Sequence, residues 1–180
     1  MAFVFGYGSL LFRQDFPHAP PRVAIVHGWT RRFDQGSHDH RGTPEQPGRV
    51  VTLVPQDGAA CEGAVFEIAD RDEASVLAAL DVREQGGYER CRVRATLRDT
   101  GERVDAITWI AQPDNAFSLG PAPMDAMARQ MAAASGPSGS NVEYVLRLAR
   151  VLRELAIDDP HVYELAARLE QRSGGERSER

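Results

Sequence analysis

The 180-residue chain contains no lysine, because all 21 of its lysine and arginine positions are arginine. This absence excludes a Schiff-base lysine, a phosphate-binding lysine of the Walker type and a Ser–Lys catalytic dyad. Cysteine is almost as scarce: only two residues, Cys61 and Cys91, are present, and they are too far apart for a CxxC pair. They are typical of reduced thiols in a cytoplasmic protein and not of a disulfide framework.

Long apolar runs and a basic excess are also missing. No run of 18 apolar residues occurs, and no basic segment precedes the apolar N-terminus, so we expect neither a membrane span nor a secretory leader. The net charge of −5 argues against nucleic acid as a partner. His38 and His40 flank Asp39, but no further ligand follows at a metal-binding spacing, and we therefore expect no metal.

The distribution of β and helical patterns predicts the fold class. β-branched and aromatic runs dominate the first 111 residues, a helix begins at Asp70, and three more helical patterns follow residue 120. The predicted strands are FVF, RVAIVHGW, RVVTLVP, CEGAVFEI, YERCRVRATL and RVDAITWIA, the last two joined by an RDTG turn. Because strands occur in runs, the sequence predicts an α+β fold with a curved or barrel-like mixed sheet and helices outside it. We expect one domain, residues 1–170, and a disordered polar tail, residues 171–180.

The first strand ends in an unusual pair of glycines, Gly6 and Gly8, on either side of Tyr7. Backbone amides around such glycines can form an anion-binding concavity that a ligand approaches closely. A tight turn explains the same residues without a ligand, so both interpretations stay open. Ser9 is a poor candidate nucleophile, because GYGSL does not match GxSxG and the sequence places no base near it.

Glu84 is the leading candidate for acid–base chemistry. It continues the apolar stripe of Leu77 and Leu80 at i, i+3, i+7 spacing, which predicts that it points inward at the end of its helix. Loss of hydration raises the pKa of an inward carboxylate and makes it a usable proton acceptor. The alternative is a structural ion pair with Arg83 or another arginine.

Two polar loops, residues 37–48 and 135–141, are longer and more particular than ordinary connections, and solvated loops are the alternative to a pocket rim. Arg41 in the first loop can hold a substrate carboxylate by a two-pronged contact. Tyr144, on the helix that follows the second loop, can present a hydroxyl inward. Tyr144 is therefore a candidate pocket residue, and Tyr88 is a second one.

Several motifs together resemble one enzyme family. VFGYGSL, RRFDQGSHDHRGTPEQPGRVVTL, CEGAVFEI, LDVREQGGYER, GPSGSNVEYVLRL and DDPHVYELAARL follow one another over residues 4–169. In this order they resemble the ChaC family of γ-glutamylcyclotransferases. GYGSL alone indicates only the wider cyclotransferase-like superfamily.

The resemblance implies a lyase that degrades glutathione in the cytoplasm to 5-oxoproline and cysteinylglycine, with neither metal nor nucleotide. It places the catalytic glutamate on Glu84. It places the substrate-binding loop on Phe5, Gly6, Tyr7, Gly8, Ser9 and Leu10. A cyclotransferase for other γ-glutamyl amides, or a non-catalytic regulator of cation transport that keeps the fold, is the alternative. We expect a small-molecule partner and a monomer or weak homodimer.

Overall fold

The computed structural model describes residues 1–178. In this part of the chain the elements are β1 (Ala2–Gly6), β2 (Arg22–Ser37), β3 (Gly48–Ile68), α1 (Asp70–Arg83), β4 (Tyr88–Leu97), β5 (Arg103–Ala111), α2 (Met124–Ala133), β6 (Ser135–Gly136), β7 (Gly139–Ser140), α3 (Asn141–Glu154) and α4 (Pro160–Ser178). A short 3-10 helix covers Ser9–Leu11.

The first five strands form a closed barrel in the order β1-β3-β2-β4-β5. β1 runs antiparallel to β3 and parallel to β5, where Val4 lies opposite Ile107. β4 and β5 form the predicted antiparallel hairpin, with Tyr88 opposite Ala111 at its open end. Parallel and antiparallel pairs occur together, so the prediction of an α+β fold with a mixed, barrel-like sheet is confirmed.

Two strands are longer than the sequence pattern predicts. RVVTLVP and CEGAVFEI are parts of the single strand β3, and β2 continues past Trp29 to Ser37. The segment QDGAA within β3 is mostly exposed and carries Gly58 at φ +73°, so it has the composition of a turn although the strand runs through it. Turn-like composition therefore led to the wrong prediction of strand ends within continuous strands.

Residue contacts divide the chain into two compact units, the first made of residues 1–31 and 52–116. It contains β1, α1, β4 and β5, together with residues 22–31 of β2 and residues 52–68 of β3. The inward positions of the strands and one face of α1 supply its apolar core, which includes Val4, Phe5, Leu53, Phe66, Ile68, Leu80, Ala95 and Leu97.

The second unit contains residues 32–51 and the chain from residue 117 onward. In it α2, α3 and α4 pack against one another around Met131, Val145, Leu148, Leu152, Leu165 and Leu169. None of the helices within residues 1–178 has both the length and the apolar character needed to cross a membrane. α4 continues into the segment predicted as a tail, whose residues 179–180 lie outside the described residues. The division at residue 170 stays a prediction.

Candidate active site

Buried aromatic side chains anchor the loop that follows β1. Phe5 is fully buried and Tyr7 is 5% exposed, and their rings stack with centroids 6.4 Å apart. The Tyr7 hydroxyl donates to the carbonyl oxygen of Trp109 at 2.6 Å, and Thr108 Oγ1 donates to the carbonyl oxygen of Phe5 at 2.8 Å. The two buried rings and these hydrogen bonds thus hold the loop in place.

The two glycines of the loop differ in their surroundings. A Cβ on Gly6 would lie 2.9 Å from both Leu10 Cβ and Phe66 Cε2, so packing alone requires glycine there. Gly8 is half-buried and immediately precedes the 3-10 helix. Within residues 1–178 the amides of Gly8, Ser9 and Leu10 donate to no backbone carbonyl. The loop therefore offers backbone donors that the fold itself does not use.

We call residues 7–10, which follow β1, the amide-rich loop. Arg31, a residue that the sequence reasoning missed, also holds this loop. Arg31 is 2% exposed, and its Nε donates to the carbonyl oxygen of Tyr7 at 2.7 Å. In the first part of β2 the buried residues, Ala24 and Val26, have even numbers. Gly28 has φ +82°, and after it the buried side chains, beginning with Arg31, have odd numbers. A glycine inside a strand is the signal of such a bulge, and it would have predicted an inward Arg31.

Glu84 directly follows α1, and its amide donates to the carbonyl oxygen of Leu80 at 2.8 Å. Leu77 and Leu80 are buried as the spacing predicts, and the Glu84 side chain is 17% exposed. Its Oε1 is buried and has no hydrogen-bond partner among the described residues, although Arg83 Nε lies 3.3 Å away. The Glu84 carboxylate thus lies inward, as its spacing from Leu77 and Leu80 predicts.

Burial dominates the electrostatics of Glu84. Desolvation raises the pKa of its carboxyl above the ordinary value of 4.5, and the positive charges of Arg83 and Arg13 oppose this rise without cancelling it. The ion pair with Arg83 and the raised pKa were alternative expectations from the sequence. In the structure they coexist, because one nearby cation replaces only part of the lost hydration.

The Arg83 side chain connects Glu84 to the loop. Its Nη2 donates to Ser9 Oγ at 3.0 Å and its Nη1 donates to the carbonyl oxygen of Arg13 at 2.8 Å, while its Nε faces Glu84. One guanidinium therefore contacts both the amide-rich loop and the buried carboxylate. Arg83 thus links a buried carboxylate, a group suited to proton transfer, to a loop with unused backbone amides, which are suited to anion binding.

Comparison with known proteins identifies the family of this chain. The model of the ChaC-like protein family matches residues 2–172. The chain belongs to that family. It is 42% identical over 171 residues to glutathione-specific γ-glutamylcyclotransferase 1 of Danio rerio, covering 92% of this chain and 87% of that protein. It is 32% identical to the glutathione-specific γ-glutamylcyclotransferase of Saccharomyces cerevisiae, covering 86% of each chain.

A solved structure agrees with the ChaC-like assignment. The crystal structure of the selenomethionine-labelled γ-glutamyl cyclotransferase specific to glutathione from yeast superposes with a TM-score of 0.88 at 30% identity. The match covers 94% of this chain and 96% of the yeast chain. The family and the fold predicted from the motifs are therefore confirmed.

Two predicted binding residues of this ChaC-like protein lie in the second unit and contact each other. Arg41 is buried, and the centre of its guanidinium lies 5.6 Å from the Tyr144 ring centroid. Arg41 Nη1 donates to the Ser140 carbonyl oxygen at 3.2 Å and to Glu143 Oε2 at 3.4 Å. The Tyr144 hydroxyl accepts a hydrogen bond from the amide of Val51 at 3.3 Å. The sequence reasoning did not identify Glu143 as a partner of Arg41.

Tyr88 lies with Glu84 in the first unit, where it is half-buried at the start of β4.

The two histidines that flank Asp39 contact neighbouring side chains. Nδ1 of His40 lies 3.0 Å from Ser138 Oγ, and the centroid of the His38 ring lies 5.0 Å from that of Phe117. Among residues 1–178, no group of three or more histidine, cysteine, aspartate or glutamate side chains is arranged to hold a metal.

Proposed function

We propose that this ChaC-like protein is a glutathione-degrading γ-glutamylcyclotransferase that releases 5-oxoproline and cysteinylglycine. The observation that carries the proposal is the carboxylate of Glu84, which is 17% exposed and connected through Arg83 to the amide-rich loop. The glutathione-specific relatives at 42% and 32% identity support glutathione as the substrate.

The reaction is an intramolecular displacement. The α-amine of the γ-glutamyl group attacks its own γ-carbonyl carbon, forming the lactam C–N bond, and the γ-amide C–N bond to cysteinylglycine breaks. Because the nucleophile is part of the substrate, the enzyme mainly has to hold the chain with amine and carbonyl in contact. Neither water nor an external nucleophile enters the balance.

We assign both proton transfers to Glu84. Its carboxylate accepts one proton from the α-ammonium, and the resulting carboxylic acid donates that proton to the departing nitrogen of cysteinylglycine. The second proton that the attacking nitrogen loses as the lactam closes follows through the regenerated carboxylate, so that cysteinylglycine leaves as an ammonium. A raised pKa suits this role, because the group must accept and then release a proton near neutral pH. The amides of Gly8, Ser9 and Leu10 are proposed to bind the α-carboxylate or the developing oxyanion. Arg41, Tyr88 and Tyr144 stay predicted substrate-binding residues.

The raised pKa of Glu84 predicts a pH-dependent effect on stability. Between the ordinary value of 4.5 and its higher folded-state pKa, the folded protein binds a proton that the unfolded chain lacks, so this contribution to stability declines as pH rises. Glu84→Gln, neutral at every pH, should therefore be more stable than the wild type near pH 7, with a difference that shrinks toward pH 4.5. Urea unfolding across this range measures it. A variant less stable than the wild type at pH 7 would contradict the desolvation account.

Arg83→Gln is predicted to shift the acid limb of the pH profile of kcat/KM to higher pH. The substitution removes the cation 3.3 Å from Glu84, so the pKa of the carboxyl rises further and more alkali is needed to ionise it. Arg71→Gln, at an exposed arginine in the same helix, is the control and should keep the wild-type limb. An unchanged limb in Arg83→Gln would show that Glu84 does not govern it.

A substrate panel tests the proposal against its alternatives. Reduced and oxidised glutathione, γ-glutamylcysteine and γ-glutamylalanine are compared for 5-oxoproline formation and for their effect on the melting temperature. We expect reduced glutathione to be consumed with the highest kcat/KM. Faster turnover of the γ-glutamyl amino acids would favour the cyclotransferase for other amides. Stabilisation by glutathione without turnover would favour the regulator.

We further propose a cytoplasmic protein that is a monomer or weak homodimer. The free cysteines Cys61 and Cys91 suit a reducing compartment. Light scattering over a concentration series tests the oligomeric state, since a weak dimer dissociates on dilution.

A further inference from the structure

Two nitrogens of the buried Arg31 side chain donate to main-chain carbonyls. Nε donates to the carbonyl oxygen of Tyr7 at 2.7 Å, and Nη2 donates to the carbonyl oxygen of Glu62 at 2.5 Å. Burying a guanidinium at 2% exposure requires such hydrogen bonds, since an uncompensated buried charge is strongly unfavourable. The fold therefore holds a guanidinium directly against the Tyr7 carbonyl of the amide-rich loop.

The carbonyl of Glu62 lies beside a close approach of β3 to β1. A Cβ added to the next residue, Gly63, would lie 2.3 Å from the carbonyl oxygen of Gly6. Gly6 is also the last residue of β1 paired with β3, opposite Ala64. Arg31 thus connects the loop to β3 next to this close approach, which fixes the position of the Tyr7 carbonyl.

We propose that Arg31 is a positioning residue for the cyclisation, an inference that rests on the proposed function. The Tyr7 carbonyl and the Gly8 amide belong to the same peptide unit, so a cation on the oxygen polarises the N–H toward an anion. Such cooperativity strengthens a hydrogen bond by about 10–30%. Arg31 does so without touching the substrate, through the Gly8 amide proposed to bind the α-carboxylate or oxyanion.

The competing explanation is a purely structural Arg31, and two substitutions separate the explanations. Arg31→Ala removes the charge and leaves a cavity that free guanidinium can enter, while Arg31→Lys keeps the charge but lacks the planar fork that reaches both carbonyls. Arg49→Ala is the matched control. Arg49 is also buried and donates to main-chain carbonyls, those of Phe33 at 2.9 Å and Gly120 at 2.8 Å, but to none in the loop.

The experiment measures kcat/KM for glutathione and urea unfolding for each protein, with and without guanidinium far below denaturing concentrations. For folded Arg31→Ala we expect kcat/KM to fall by about two- to eightfold, because a direct oxyanion donor contributes 10²–10³-fold to kcat and the lost polarisation weakens it by about 10–30%. Arg31→Lys should be intermediate. Guanidinium should restore activity severalfold to Arg31→Ala and not to Arg49→Ala, which should lose stability with little change in kcat/KM.

Each other outcome contradicts the inference. An active wild type with equally active Arg31 variants overturns it alone and leaves the proposed function standing. Failure of both Arg31→Ala and Arg31→Lys to fold, or an equal loss of kcat/KM in Arg49→Ala, shows that the role is structural. A wild type that forms no 5-oxoproline overturns the proposed function and this inference together.

Discussion

Glu84→Gln is expected to leave the protein folded and to lower kcat for glutathione by about 10²–10⁴-fold, the range for loss of a general acid–base group. The amide has nearly the shape of the carboxylate, but it cannot accept the proton of the α-ammonium. It also cannot return a proton to the cysteinylglycine nitrogen. Initial rates of 5-oxoproline formation measure the effect, and the melting temperature reports the fold.

Glu89→Gln is the matched control for this substitution. Glu89 is an exposed glutamate on β4, only five positions further along the chain, so the change in formal charge is the same. Its activity should stay at the wild-type level. Near-normal turnover in Glu84→Gln would remove Glu84 from the proton transfers, whatever its burial.

Gly8→Val is expected to lower kcat/KM by about 100-fold or more, comparable to the loss of a direct oxyanion donor, with a small effect on stability. The branched side chain would stand over amides that are proposed to touch the substrate. Gly6→Ala is expected to behave in the opposite way. Its Cβ would lie 2.9 Å from Leu10 and Phe66, and such overpacking destabilises a core by about 1–3 kcal/mol.

Urea unfolding and turnover of the same two preparations measure this contrast between the two glycines. We expect the Gly8→Val protein to fold but to be impaired in catalysis, and the Gly6→Ala protein to be less stable. If Gly8→Val does not fold, the loop is structural throughout and the assignment of its amides to the substrate is wrong.

Much of the fold was predictable because local patterns decide it. The RDTG turn and the alternation on either side of it predicted the hairpin of β4 and β5, and helical spacing predicted α1. The inward position of Glu84 followed from Leu77 and Leu80, since side chains at these spacings share one helix face. The inward position of the Glu84 carboxylate could therefore be predicted from the spacing of three residues.

The supporting contacts were not predictable, because they join residues distant in sequence. Arg31 meets the carbonyls of Tyr7 and Glu62, which are 24 and 31 positions away. Gly28 inside β2 signals the change of phase that turns Arg31 inward, but it does not indicate which carbonyls the guanidinium meets. The three-way contact of Arg83 likewise requires the barrel to bring the loop to the end of α1.

Gly6 and Gly8, the two glycines on either side of Tyr7, differ in what surrounds them. Gly6 lies where packing leaves no space for a side chain. Gly8 lies beside amides that donate to no backbone carbonyl among the described residues. Between them the Tyr7 side chain anchors the loop, while its carbonyl receives Arg31. The resemblance to the ChaC family placed all three residues in one substrate-binding loop, but their contacts in the structure differ.

Turnover of glutathione in H₂¹⁸O, with a chelator present, tests the central claim most directly. The account predicts equal amounts of 5-oxoproline and cysteinylglycine, no ¹⁸O in either product, and loss of both in Glu84→Gln. Intramolecular attack by the α-amine requires this result, because water is not a reactant. Free glutamate that carries ¹⁸O would identify a hydrolase, and the absence of any product from a folded wild type would contradict the proposed function.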